Sequence, residues 1–549
     1  MKSLNREELS TQPKKDQNQD VCAGGVRAKD PDEAVWGRVF SQFDVFARNI
    51  SMDYLALGVD MAIGVLMLPF NVAYLGQSVY GLWILAASIP MYFSMLDLGY
   101  GVAQVKFAAQ YRARRDREGL NQIVSTLFFL FTVIGIIAFA VGALIAFNLD
   151  RLFQITPEQL STGRLVLLII SLYVAFGFPF SVFGGVVNGF QRHFLNGFVS
   201  IATSIVVAIV NIAVLMAGYG LVELVAATTA VRLLAYIGYR ANAYRAFPGL
   251  SIRPAYIRLS RLREVTGFSA FILLIDLANK LNYSTDAIVI GAFMSTAAVA
   301  VWAVASRLIT ATQGLTTQIN GSLFPIVVDI ATLGEMARLR RVFLQGTRLS
   351  LAMVIPIAIV LALLAEPLVL AWVGRDFSES IPVIYILAAA VIIRVGNSTA
   401  TTLLKGAGRH SLLAGANLVI ALVNLALSIA LVGRYGLIGV ALGTLIPLAV
   451  ISVLVLFPAA CRRVELPLFE AVSQGILPSV WPIIPVALLL LFTRNLVGAS
   501  LSAVAAQAVI AGSLYTIIFL RLAISRDERC WYFGKIKQLV RRPRAAVAV

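Results

Sequence analysis

Charged side chains occur inside long apolar stretches of this 549-residue sequence, where charge is costly to bury. Arg307 and Arg394 have no acidic residue three or four positions away, whereas Lys280 follows Asp276 by four positions. On a helix that spacing lets the carboxylate and the ammonium neutralise each other, so a purely structural pair remains an alternative. A guanidinium without such a neighbour favours a water-filled site for an anion, because its planar fork matches two phosphate oxygens. We therefore predict that Arg307, Arg394 and Lys280 bind an anionic ligand.

Polar residues around these charges follow helical periodicity, so each of three stretches has one polar stripe. The stripes comprise Asp53, Asp60, Gly64 and Asn71; Asp276, Asn279, Lys280, Tyr283 and Asp286; and Arg307, Thr310, Gly314, Gln318 and Gly321. Polar stripes on otherwise apolar helices face a cavity or one another, so the three helices are expected to line a common space. Asn279 and Gln318 are then further binding candidates. The candidates for gating, or for taking up H⁺ or Na⁺ in one state, are Asp60, Asp97, Asp276 and Asp286.

Composition indicates which elements position these side chains. The chain is 59% hydrophobic and 13% charged, with a mean hydropathy of +0.84, whereas soluble domains have about 25% charged residues. Crossing the hydrocarbon layer takes about 20 apolar residues, and about fourteen such stretches are present. They begin near 53, 80, 121, 164, 196, 220, 267, 297, 348, 380, 411, 437, 474 and 500. Their length and lack of alternation predict an all-α polytopic membrane protein with about 14 transmembrane helices.

The formal net charge of +17 lies on one side of these predicted helices. Alternate connections hold twenty Lys and Arg residues, within 105–120, 188–193, 240–266, 329–348, 405–410 and 461–473. The remaining connections hold five, namely Arg151, Arg164, Arg375, Arg434 and Arg494. By the positive-inside rule the basic side is cytoplasmic, and an even number of spans places both termini there. The charge thus sets orientation and attracts anionic lipids, and it does not indicate a nucleic-acid partner.

The sequence offers little for metal or enzymatic chemistry. Cys22, Cys461 and Cys530 lack metal-ligand spacing, and His193 and His410 are the only histidines. No nucleophile with an adjacent base and no phosphate-binding Gly-Lys-Ser/Thr loop is visible. A membrane polymerase or ligase, the enzymatic alternative, needs catalytic residues on the outside, where the predicted connections are short. We predict that the chain is not an enzyme and holds no metal.

An internal repeat suggests how the helices are organised. The sequence GFQRH at 189–193 recurs as GAGRH at 406–410, a displacement of 217 residues, and apolar spans follow both copies. Two six-helix repeats of the same orientation around a central cavity are a transporter architecture, with the site between the halves near the midplane. The predicted organisation is a flexible cytoplasmic tail over 1–50, an N-terminal lobe of six helices over 51–245, a basic cytoplasmic linker over 246–266, a C-terminal lobe of six helices over 267–460, two appended helices over 474–524, and a basic cytoplasmic tail over 525–549.

Three motifs in this order resemble a known family of exporters. They are VYGLWILAASIPMYFSMLDLGYG at 79–101, NGFQRHF at 188–194 and LLKGAGRH at 403–410. Over about 50–525 the chain resembles Wzx-type flippases, the polysaccharide transporter branch of the multidrug/oligosaccharidyl-lipid/polysaccharide (MOP) exporter superfamily. The two appended helices fit this branch and the related lipid II flippases, whereas drug exporters of the superfamily usually stop at twelve.

The resemblance implies movement of an undecaprenyl-diphosphate-linked oligosaccharide between leaflets of a bacterial inner membrane, by alternating access, for O-antigen, capsule or exopolysaccharide synthesis. The implied partners are the lipid-linked oligosaccharide and membrane lipids, with a polysaccharide polymerase and a chain-length regulator as further candidates. It implies no cofactor beyond H⁺ or Na⁺ coupling. A multidrug or cation antiporter of the same superfamily and a lipid II flippase remain the alternatives.

Overall fold

The computed structural model describes residues 31–97, 99–258, 260, 285–493, 500–524 and 529, with the side chains of 31–50, 53, 94, 95, 102, 315–322 and 325 outside that description. The chain divides into a short unit, Met1–Arg48, and a large one, Asn49–Val549.

The described residues are almost entirely helical, and no β-strand occurs among them. The helices before residue 260 are α1 Pro31–Leu75, α2 Gln77–Met91, α3 Tyr100–Arg114, α4 Arg117–Phe147, α5 Leu149–Leu152, α6 Pro157–Gly189, α7 His193–Met216 and α8 Leu221–Ala246. Those after residue 295 are α9 Thr296–Thr332, α10 Met336–Leu363, α11 Ala365–Trp372, α12 Ser380–Gly396, α13 Ser398–Gly406, α14 His410–Ile451, α15 Phe457–Arg463, α16 Leu468–Ala471, α17 Leu477–Val480, α18 Ile483–Thr493 and α19 Leu501–Ile518. Residues 285–293 are helical as well.

The predicted all-α polytopic class is confirmed. Within the described residues, ten helical segments are long and apolar enough to cross a membrane. One of them, His410–Arg463, has 54 residues and bends at Gly436 (φ 55°, ψ −134°), so it covers two predicted spans. The predicted span near 267 lies outside the described residues, and every other predicted span begins on a helix or beside one.

Successive membrane-crossing segments run in opposite directions, so their ends define two faces of the bundle. We call the face that holds Leu75, Gln77 and the start of α9 the Thr296 face, and the opposite one the His193 face. The described basic residues of the basic-rich connections, such as Arg112, Arg192 and Arg340, lie at the His193 face. Arg340 illustrates one structural use of this charge, because its guanidinium donates to the Val464 and Glu465 carbonyls that end α15.

The two repeated turns have the same backbone structure. Gln191 (φ 59°) and Gly408 (φ 78°) are both left-handed and stand 217 positions apart. In each turn the amide of the following arginine donates to the carbonyl five residues earlier, Arg192 to Val187 at 3.1 Å and Arg409 to Leu404 at 2.9 Å. This left-handed turn satisfies carbonyls at the end of one helix before the next begins at a histidine.

The second predicted span is broken, which the sequence did not predict. Its α-helix ends at Met91, one residue after Pro90, and a 3₁₀ segment, Tyr92–Asp97, precedes α3. The Asp97 carboxylate accepts hydrogen bonds from the Gly101 amide at 3.0 and 3.2 Å, and Gly99 is left-handed. Asp97 therefore satisfies a free amide at the start of α3.

Part of the predicted basic linker is attached to the N-terminal helices. The Asn121 side chain of α4 donates to the Gly249 carbonyl and accepts from the Ser251 amide, both at 3.0 Å. The Arg258 amide donates to the Thr126 hydroxyl, also at 3.0 Å. Residues up to 258 are thereby held against α4.

Helices α2 and α9 make a close contact at the Thr296 face. A Cβ on Gly81 would overlap the Thr296 carbonyl oxygen, so only glycine permits this approach. Ser78 Oγ lies 2.9 Å from Thr296 Oγ1, and the Gln159 side chain of α6 donates to Ser78 at 2.8 Å and accepts from Thr296 at 3.2 Å. Three helices are therefore joined by side-chain hydrogen bonds at this face.

A tryptophan adds a contact to α1 at Val65, ten residues before the end of that helix. Pro69 has no N–H to donate to the Val65 carbonyl, so that oxygen loses its usual helical partner. The indole Nε1 of Trp372, on α11, donates to it at 3.1 Å. The missing bond of α1 is thus replaced by one from a helix 307 residues later.

We expect Trp372→Phe to weaken the contact between α11 and α1, since it keeps an aromatic ring but removes the donor. Leaving a buried carbonyl unpaired costs about 1–3 kcal/mol, which raises the fraction of molecules with α11 and α1 separated about fivefold or more. A cysteine placed at Ser88 in reconstituted vesicles should react correspondingly faster with a membrane-impermeant maleimide supplied at the Thr296 face. Pro69→Ala is the control, because it returns an N–H to Val65 and should shrink the effect. An unchanged labelling rate contradicts the prediction.

Candidate functional site

A cavity of ≈ 1040 Å³ lies among the N-terminal helices and is closed on one side by α9. Its described wall is formed by α1, α2, α6, α7, α8 and α9. The predicted stripes of the first and eighth spans are part of this wall, through Asp60, Gly64 and Asn71 on α1 and Arg307, Thr310 and Gly314 on α9. The first and eighth spans therefore line one space. Of the third predicted stripe, Asp286 is not part of this wall, and its other residues lie outside the described residues.

Arg307 lies near mid-depth in the bundle. It follows Thr296 by eleven residues, about 16 Å along α9. Its Nη2 donates to the backbone carbonyl of Asp60 at 3.1 Å. The guanidinium rests on the bare backbone of Gly64, where a Cβ would overlap Nη2 and Cζ. Glycine at position 64 therefore admits the arginine into the wall.

Arg232 is a second cation in the wall, and the sequence analysis did not select it. It follows Leu221, the start of α8, by eleven residues, so it lies at the same depth as Arg307, about 16 Å from the Thr296 face. Its side chain is exposed. The available signal was the spacing of polar residues on the same helical face, with Thr228 four positions before Arg232 and Tyr236 and Tyr239 four and seven positions after it.

Asp60 is the acidic residue of the described wall. Its carboxylate is exposed and accepts a hydrogen bond from the Ser204 hydroxyl of α7 at 2.7 Å. The charged groups of the described wall are thus two guanidinium groups and one carboxylate, which leaves one net positive charge. The cavity is suited to an anion.

Tyrosines form the wall beside Arg232. Tyr236 stacks on Tyr173 with ring centroids 5.9 Å apart and an interplanar angle of 8°. Phe180 stacks on the same Tyr236 ring at 5.1 Å and 19°. Together with Tyr239, these rings hold α6 and α8 in register and give the cavity a rigid apolar side that ends in phenolic hydroxyls.

Exposure changes along the cavity. Near the Thr296 face, Asn71 and Tyr80 are only 5% and 6% exposed, and Asn211 is 5% exposed. Toward the His193 face, Asp60 and Arg232 are exposed. With α2 and α9 in contact at the Thr296 face, the cavity is closed there and accessible from the His193 face.

The structure does not bring Arg394 to this cavity. Its Nη1 donates to the Gln313 side-chain oxygen at 3.4 Å. Asp286 lies within electrostatic range of Arg394 and hydrogen-bonds to Thr444. The acidic neighbour that Arg394 lacks in sequence is therefore supplied by another helix, and these residues form a polar cluster among the C-terminal helices.

The remaining predicted residues are placed elsewhere or are not described. Asp97 is occupied at the start of α3. Asp276, Asn279 and Lys280, and the side chain of Gln318, lie outside the described residues, so their assigned roles stay predictions. In the described part of the chain, no three His, Cys, Asp or Glu residues are grouped as metal ligands.

The chain is similar in sequence to one protein family and to individual membrane-protein and flippase relatives. A model of the family described as polysaccharide biosynthesis protein matches residues 110–382. EpsK, described as an uncharacterized membrane protein of Bacillus subtilis (strain 168), is 22% identical over 412 residues, 73% of this chain and 80% of its own length. AglR, a probable flippase of Haloferax volcanii, is 24% identical over 184 residues, 33% of this chain and 38% of its own length.

Solved structures share the fold. The lipid II flippase MurJ, in an inward closed conformation, superposes with a TM-score of 0.64 at 16% identity, covering 86% of this chain and 98% of MurJ. An inward-facing multidrug resistance MATE family transporter of the MOP superfamily gives 0.55 at 15% identity, covering 75% and 94%. The chain is therefore a polytopic all-α membrane protein with the fold that MurJ and this MATE family transporter share. These similarities confirm the resemblance of its motifs to transporters of polysaccharide biosynthesis.

Proposed function

We propose that this chain moves an undecaprenyl-diphosphate-linked oligosaccharide repeat unit from the cytoplasmic to the periplasmic leaflet, for O-antigen, capsule or exopolysaccharide synthesis. The observation that carries the proposal is the pair of guanidinium groups, Arg232 and Arg307, at matching depth in one cavity wall. Guanidinium forks bind phosphate oxygens in pairs. The net positive cavity offers a polar headgroup a route that avoids hydrocarbon.

The path follows from the side on which the cavity is accessible. The diphosphate and saccharide enter from the His193 face, between α1 and α9, while the polyprenyl chain stays in the lipid. Arg307 and Arg232 hold the diphosphate, and the two halves then rock so that the contacts at the Thr296 face open. Binding promotes this change only if the diphosphate contacts improve in the occluded state, in which the cavity is closed at both faces. The reason is that a ligand shifts a conformational equilibrium through its different affinities for the two states.

Orientation and location belong to the same proposal. The basic residues at the His193 face support a cytoplasmic position for that face and for both termini, in a bacterial inner membrane. The saccharide is then released on the Thr296 side, where a polysaccharide polymerase and a chain-length regulator would receive it. Anionic lipid headgroups are expected around the basic face.

Reconstituted full-length protein tests the function. Liposomes carry a labelled undecaprenyl-diphosphate oligosaccharide, and a membrane-impermeant glycosidase added outside reports the leaflet that holds it. We expect the inner-leaflet fraction to become accessible only in liposomes that contain the protein. Accessibility equal to protein-free liposomes contradicts the proposal. Parallel assays with lipid II and with a cationic drug identify the alternative substrates, lipid II through the same leaflet readout and the drug through its accumulation.

Asp60 is proposed to couple transport to protons. A saccharide diphosphate diester carries two negative charges, and protonating Asp60 raises the net charge of the described wall from one positive to two. We expect Asp60→Asn to tighten diphosphate binding at neutral pH by roughly tenfold, about 1.4 kcal/mol, and to abolish any acceleration of transport by an imposed proton gradient. Ser204→Ala, which removes only the hydrogen-bond donor to Asp60, should keep the gradient response. A gradient response that survives Asp60→Asn contradicts coupling at this residue.

A further inference from the structure

The cavity ends near the Thr296 face in a region whose polar groups are all uncharged. Asn71 lies four residues before the end of α1 and Asn211 five before the end of α7, about 6–8 Å from that face. The arginines lie about 10 Å farther from it by the same rise per residue. The charged residues of the described wall are Asp60, Arg232 and Arg307. All three lie farther from the Thr296 face than the two asparagines do.

Both asparagines are buried with part of their hydrogen-bonding capacity unused. The amide oxygens of Asn71 and Asn211 accept no hydrogen bond from the described residues, and both side chains are about nineteen-twentieths buried. Buried amide oxygens without partners cost free energy, so two at one end of a cavity need an explanation. A half-turn about the last side-chain torsion exchanges the oxygen and nitrogen, and each amide can therefore offer an acceptor or a donor.

Other groups between this end of the cavity and the arginines suit the same kind of ligand. Thr228 donates its hydroxyl hydrogen to the Leu224 carbonyl at 2.7 Å, so the oxygen retains lone pairs that can accept. Tyr80 and Trp83 meet edge to face with centroids 6.1 Å apart, and both line the cavity. Aromatic rings beside amide and hydroxyl groups provide apolar contact and directional hydrogen bonds together.

We infer that this end of the cavity, lined by Asn71, Asn211 and Thr228, is a subsite for an uncharged saccharide, a hexose or N-acetylhexosamine. The inference rests on the proposed function and extends it. Hydroxyl and acetamido groups supply the donors that the unpaired amide oxygens lack. A uronic acid is disfavoured, because its carboxylate would be buried where the described wall has no cation. The separation of charge along the wall matches a ligand with a neutral glycan attached to an anionic diphosphate.

Binding to the full-length protein in detergent tests the subsite with three probes. These are undecaprenyl diphosphate, the same lipid carrying one hexose, and the same lipid carrying one hexuronic acid. We expect the hexose lipid to bind about tenfold more tightly than undecaprenyl diphosphate, as one or two net neutral hydrogen bonds provide. The hexuronic acid lipid should gain nothing. Equal affinity for the hexose lipid and undecaprenyl diphosphate overturns the inference while leaving the proposed function intact.

Variants assign the gain to the asparagines. In Asn71→Leu/Asn211→Leu, the affinity for the hexose lipid should fall to that for undecaprenyl diphosphate, whose own binding stays unchanged. Asn424→Leu is the matched control, since this buried amide accepts from Ser428 outside the cavity. If the double variant does not fold, Thr228→Val removes one hydroxyl of the subsite and should lower the gain. A tenfold gain retained in whichever variant folds overturns the inference. If no probe binds the wild-type protein, the proposed function fails and the inference falls with it.

Discussion

Arg307→Ala is expected to abolish surface glycan display in a strain that depends on this transporter, with protein level and membrane insertion unchanged. The variant removes one of the two described guanidinium groups in the cavity wall, so the wall becomes neutral overall. Hydrogen bonds to charged groups contribute about 1.5–3 kcal/mol each. Loss of a two-pronged contact with the diphosphate should therefore lower binding at least tenfold. The measurement is glycan display by antibody or lectin, with binding of undecaprenyl diphosphate to the purified variant.

Two further variants separate charge from position. Arg307→Lys keeps the charge but loses the fork, so we expect partial display. Arg164→Ala is the matched control, because this arginine pairs with Asp150 at 3.2 Å away from the cavity, and both side chains are solvent-exposed. Full display by Arg307→Ala would remove this residue from the site.

Gly64→Ala is expected to reproduce much of the Arg307→Ala defect without touching a charge. A methyl group at position 64 would occupy the space of the Arg307 guanidinium and push it off the Asp60 carbonyl. Replacing a helix-interior glycine by alanine ordinarily stabilises the helix by about 0.5–1 kcal/mol. Lost transport in a protein at least as stable as the wild type would therefore reflect displacement of the arginine. Transport and thermal unfolding of the same preparation check this.

The same helix provides the control for Gly64→Ala. A Cβ on Gly58 would meet nothing within 4 Å, so Gly58→Ala should transport normally. Combining Gly64→Ala with Arg307→Ala should cost no more than Arg307→Ala alone, since both changes remove one interaction. Additive losses would mean that Gly64 acts on something other than the arginine.

The sequence alone predicted the elements and the polar face of each. Helical periodicity placed Asp60 and Asn71 on one side of α1, and the structure puts both in the cavity wall. The displacement of 217 residues between two short motifs predicted two equivalent turns, and Gln191 and Gly408 have the same left-handed backbone. These features are local, because the repeat of a helix and the geometry of a turn depend on neighbours along the chain. The hydrocarbon layer strengthens these local preferences, because each span must form its backbone hydrogen bonds within itself.

Only the tertiary structure decided which polar faces meet. Arg232 and Arg394 are both cations on apolar helices, yet one lines the cavity and the other lies with Asp286 and Gln313. The Trp372 bond to α1 joins residues 307 positions apart. Periodicity gives the direction of a side chain from its own helix axis, but the rotation, depth and neighbours of that helix are set by packing. For this reason the sequence identified charges that need a partner, and the folded chain alone determined the partner of each.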